Sequence, residues 1–82
     1  METCVGTLLS VDKEKLICVI EESKGVVDTF RLDEDATLIF FGMRPLRIDE
    51  LRPEMRVEID HRRTVGEDLP TVTWVEVLEE KH

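Results

Sequence analysis

Tyrosine is absent from this chain of 82 residues, and its aromatic side chains amount to three phenylalanines and one tryptophan. Basic residues are scarce too: 11 lysines and arginines stand against 19 aspartates and glutamates, a net charge of −8. Proteins that hold single-stranded nucleic acid combine aromatic platforms with a basic groove. A surface of the opposite sign repels phosphate, so the composition disfavours nucleic acid as a partner. No apolar run approaches the roughly 20 residues that span a bilayer. Residues 1–10 lack the basic start and long apolar stretch of a secretory signal. The expectation is a cytoplasmic protein with no membrane segment.

Chemistry-bearing motifs are missing as well. Cys4 and Cys18 are the only cysteines, and with His61 and His82 they show no zinc-ligand spacing. A hairpin turning at Lys13-Glu14 would set Cys18 opposite Leu9 instead of Cys4, which argues against a disulfide there. The acidic triplet Asp33-Glu34-Asp35 lacks the twelve-residue ligand pattern of a calcium loop. Ser10 and Ser23 sit in no nucleophile elbow, and there is no phosphate-cradling glycine loop. The sequence therefore predicts no catalytic residue, no metal, no cofactor and no enzymatic activity.

What the chain does have is β-pattern. Residues 5–11 alternate, with Val5, Thr7, Leu9 and Val11 on one side and Gly6, Leu8 and Ser10 on the other. Residues 16–20 are uniformly apolar, and residues 26–32 form a third strand before the acidic triplet turns the chain. Residues 36–41 are rich in β-formers. Residues 42–47 are a loop, and residues 48–51 hold at most one helical turn ahead of Pro53. Residues 56–61 place Val57 and Ile59 inward and Arg56, Glu58 and Asp60 outward, the signature of a half-exposed antiparallel strand. Residues 71–78, with Trp74 read as core, make the last strand, and residues 79–82 a solvated end. About six short strands and one helical turn in 82 residues predict a single all-β domain, a small antiparallel barrel of OB-like or SH3-like type.

Three stretches carry a resemblance: Gly6-Thr7-Leu8-Leu9-Ser10-Val11-Asp12, then Phe30-Arg31-Leu32-Asp33-Glu34-Asp35-Ala36-Thr37-Leu38-Ile39, then Leu51-Arg52-Pro53-Glu54-Met55-Arg56-Val57-Glu58-Ile59. Together they resemble a loose group of small bacterial β-barrel domains of OB-like pattern, mostly of unknown function. That resemblance implies a fold and no activity. In the group, glycine usually stands where this chain has Glu54, and a Pro53-Glu54 pair suits a type I turn.

Charge is uneven along the chain. Residues 1–43 carry −5 and residues 64–82 carry −4, whereas residues 44–63 carry +1 and all six of their basic groups are arginines. Arginine is favoured at interfaces, where its planar group pairs or stacks. Adjacent Phe40 and Phe41 point to opposite faces of a strand, which would leave one exposed. These features predict a non-catalytic protein-interaction or regulatory module, with Arg47, Arg52, Arg56, Arg62 and Phe41 as partner contacts. The partner would be another protein or a second copy of the chain, whose two ends are acidic. The alternative is an OB-like domain that binds an oligonucleotide or small ligand. His61 is expected as an exposed strand-end residue.

Overall fold

A computed structural model describes residues 1–79; the reading of Glu80, Lys81 and His82 as a solvated end lies outside the described residues. Six strands form one mixed sheet: β1 (Glu2–Asp12), β2 (Ile17–Ser23), β3 (Val26–Phe40), β4 (Arg44–Pro45), β5 (Arg56–Arg62) and β6 (Thr71–Glu79). A 3-10 turn at Ile48–Glu50 lies where a single helical turn is expected. No helix of the described residues is long and apolar enough to cross a membrane.

The expected antiparallel sheet needs one correction. β1–β2, β1–β5, β2–β3, β3–β4 and β5–β6 are antiparallel, but β3 and β6 run parallel. The connection from β3 to β6 passes through β4, the 3-10 turn and β5, long enough to bring the chain back in the same direction. Each of the five longer strands has a hydrogen-bonded neighbour on both sides.

The six strands are not the six that the pattern predicts. Residues 26–32 and 36–41 merge into one 15-residue strand that runs straight through Asp33-Glu34-Asp35. The acidic triplet interrupts pairing without reversing the chain. Leu32 pairs with Val72 and Thr37 with Trp74, so four residues of β3 bulge against one of β6. Asp33 Oδ1 accepts from the Asp35 backbone N–H at 2.9 Å, which stabilises the bulge. The strand this removes is replaced by β4, inside the expected loop.

The core face collects Leu8, Ile20, Phe30, Leu32, Val57, Ile59, Val72, Val75 and Val77, all buried. Both cysteines are buried there as free thiols, and Cys18 pairs with Val11. Val57 and Ile59 point inward from β5, as their alternation requires. Gly6 lets β1 approach β2: a Cβ there would lie 2.6 Å from the Glu21 carbonyl oxygen and 2.6 Å from Ile20 Cγ2. Trp74 departs from its expected place. β6 turns Val75 and Val77 into the core, so Trp74 faces outward, half-buried, between Asp60 of β5 and Thr37 of β3.

Residues 46–55 cap one end of the sheet. Leu46, Leu51 and Met55 are buried, and backbone bonds tie the segment to Leu38 of β3 and Leu8 of β1. The tie to β1 uses the Pro53-Glu54 turn, where Glu54 takes φ +80°. Proline followed by a residue at that angle is a type II turn, not the expected type I. The position where the resembled group carries glycine thus has the backbone that glycine favours.

Candidate interaction surface

The arginines of residues 44–63 do not gather into one face. Arg44, Arg47 and Arg52 belong to the capped end, whereas Arg56 and Arg62 sit at opposite ends of β5. Six strand steps separate those two, roughly 20 Å.

Two arginines at the capped end are occupied by neighbouring carboxylates. Arg47 donates to Asp49 through Nε at 3.1 Å and Nη2 at 2.6 Å, a bidentate pair. The guanidinium holds the Asp49 carboxyl below the usual carboxylate range. Arg44 Nη1 lies 3.4 Å from Glu50 Oε2, and Glu50 Oε1 accepts from the Arg47 backbone N–H at 3.0 Å. Those contacts fix the 3-10 turn and lower the Glu50 pKa, the Arg47 N–H bond first among the causes. Arg52 lines a shallow cavity with Phe40, Arg44 and Met55. Arg62 lies 3.9 Å from Asp33 across the β3 bulge, and Arg56 is exposed.

Phe41 is different in kind. It closes the β3–β4 hairpin with Gly42, at φ +52° and +67°. The Met43 N–H donates to the Phe40 carbonyl at 3.0 Å. Positive φ at both central residues is what a type I′ hairpin turn requires, and Asn, Asp or Gly normally fills those places. A bulky aromatic there costs about 1–2 kcal/mol. Phe41 does not recover that cost by burial, since it is 44% exposed and its neighbour Met43 is 81% exposed. Phe40 and Phe41 do not point to opposite faces as two strand neighbours would. The turn brings their rings edge-to-face at 4.2 Å, and the Arg44 guanidinium sits 5.1 Å from the Phe40 centroid.

Opposite the capped end lies a cavity of about 430 Å³ that sequence reasoning missed. It is bounded by Cys4, Glu22, Asp28, Phe30, His61 and Arg63. These residues come from four strands and the loop after β5, and no short motif joins them. His61 is not the exposed residue expected. Its side chain is only 14% exposed, and its ring packs against Phe30 at 5.0 Å because β5 turns it toward the core face. Burial first, then the Glu22 carboxylate, pushes the Cys4 thiol up to about 12, and burial alone pushes Cys18 to about 11. A nucleophilic cysteine needs the opposite shift. The Cys4 thiol first and then Asp28 hold the Glu22 carboxyl below its ordinary range, and the neighbouring Glu22 pushes the Asp28 carboxyl up. No group of three or more His, Cys, Asp or Glu among the described residues is arranged to hold a metal ion.

Comparison with protein-family models, with curated proteins and with solved structures finds no match to this chain.

Proposed function

We propose that the chain is a small OB-like barrel serving as a non-catalytic docking module for another protein, and that the β3–β4 hairpin is its contact. The order β1-β2-β3-β6-β5, with β6 parallel to β3 and β5 returning beside β1, supports the barrel reading. The left-handed backbone at Glu54 supports the bacterial domain group that carries glycine there. One observation carries the docking reading: a phenylalanine occupies a strained turn position and remains open to solvent beside an exposed methionine. Backbone strain of this kind clusters at functional sites, and at Phe41 it falls on an exposed aromatic. Arg44 and Arg52 line the shallow cavity beside Phe40 at the base of the hairpin.

The test compares proteins captured from native lysate by the wild-type chain and by F41G. Glycine relieves the strain, so the variant folds at least as well, and lost capture then reports lost contact. Capture of the same proteins by both would overturn the reading.

A further inference from the structure

The outer face of the sheet carries an arrangement that folding alone does not explain. Strand register sets Val5 beside Glu58, Glu58 beside Glu76, Glu76 beside Ile39, and Ile39 beside Pro45. Val5, Glu58 and Glu76 lie on the face away from the core, since Cys4, Gly6, Val57, Ile59, Val75 and Val77 alternate with them as buried residues, and Ile39 sits between Leu38 and Phe40, which pack against the core. Two glutamates thus stand directly across from each other in the middle of the row. Like charges in that relation destabilise a sheet. Neither forms a hydrogen bond or an ion pair with a described residue, and both are only half-exposed. Arg56, the next outward residue along β5, makes no ion pair with either. Asp60, one outward position the other way, accepts from Thr3 Oγ1 at 2.8 Å and stands beside Trp74.

We infer that this row is a docking strip for an extended protein segment of the pattern apolar-x-Arg-x-apolar, laid across the strands. The inference rests on the docking-module reading and names the chemistry of the partner. Spacing supports it. Neighbouring strands lie ~4.8 Å apart, so Val5 and Ile39 are separated by roughly 14 Å along the sheet, with Glu58 and Glu76 between them. An extended chain rises ~3.3 Å per residue, so residues i and i+4 are ~13 Å apart with i+2 at the centre. A guanidinium at the centre would stand between Glu58 and Glu76 and offers donors to both. The flanking apolar residues meet Val5 on one side and Ile39 on the other, and Trp74 occupies the next outward position along β6 from Glu76. The strip also continues into the hairpin tip: a Cβ at Gly42 would lie 3.3 Å from Glu76 Oε2. Charge complementarity selects the occupant, since a net charge of −8 draws a basic segment and turns away an acidic one.

The probe is the capped peptide Val-Ser-Arg-Ser-Val, titrated into the millimolar range against isotope-labelled protein while backbone amide shifts are followed. The expected result is shifts centred on Val5, Glu58, Glu76 and Ile39, weakened by added salt. In E58Q/E76Q the affinity falls about tenfold, while the melting temperature is unchanged or higher. A peptide with glutamate at the centre leaves the spectrum unmoved. Absence of shifts, equal affinity in the double variant, or equal response to the glutamate peptide would overturn the inference. So would a row already covered by a second copy, seen as concentration-dependent shifts without peptide. Lysate capture that depends on Phe41, combined with a peptide response indifferent to the two carboxylates, removes this inference and leaves the docking-module reading standing.

Discussion

The corner at residues 44–50 and the outer row through Glu58 and Glu76 are both densely charged, and they behave as opposites. At the corner each charge has a partner a few residues away: Arg47 with Asp49, Arg44 with Glu50. In the row, two glutamates are set opposite each other by β5 and β6, from positions 18 residues apart, with no ion pair to a described residue. Local chain geometry satisfies the first set, whereas sheet register creates the second. A count of charges along a sequence cannot separate charge that is spent within the molecule from charge that is available to another. Here the basic segment that stands out in the sequence is partly spent, and the acidic background holds a pair with no ion-pair partner among the described residues.

The contrast depends on β5 holding its register, and I59A strikes that directly. Ile59 is 1% exposed between Glu58 and Asp60, and its truncation is expected to cost about 2–5 kcal/mol in denaturant unfolding. A cost well below that range would mean that the inner face does not anchor the outer row. G6A tests the approach of β1 to β2. Its methyl would meet a carbonyl oxygen at 2.6 Å, and overpacking of this kind costs about 1–3 kcal/mol. E54G should act in the other direction and raise stability by about 1 kcal/mol, by relieving a left-handed non-glycine residue. A loss of stability in E54G would contradict the type II turn.

The smallest effects sharpen the comparison most. E76Q should raise stability by about 0.2–1 kcal/mol, because it removes one of two facing like charges. R47A should leave the thermal midpoint where it is, since its bidentate pair is solvent-exposed and such pairs contribute little. Thermal melts at low and high salt check both, and the E76Q gain should shrink as salt screens the repulsion. If R47A were the more damaging variant, the corner and the row would have been assigned the wrong way round.

Much of the architecture was legible in the sequence. The alternation in residues 56–61 predicts which side of β5 is buried, and Pro53 limits the helix to the turn at Ile48–Glu50. Strand continuity was not legible, because Asp33-Glu34-Asp35 has the composition of a turn but forms a bulge inside one long strand. The outward position of Trp74 was hidden for a related reason. That bulge and the register shift between Asp60 and His61 set the facing of β6, and hydrophobicity alone does not encode either. Of the candidate contacts, the sequence singled out Phe41 as one of two adjacent phenylalanines, but its strain and exposure appear only once the hairpin closes. The Glu58–Glu76 pair leaves no trace along the chain, since only the pairing of β5 with β6 creates it.

β4, two residues long and ending in proline, bears on how copies of this molecule meet. Pro45 has no amide hydrogen to offer, so a foreign strand cannot be templated along that margin. A ribbon of copies stitched backbone to backbone through β4 is thereby denied, and contact at that margin is left to side chains, where selectivity between partners resides.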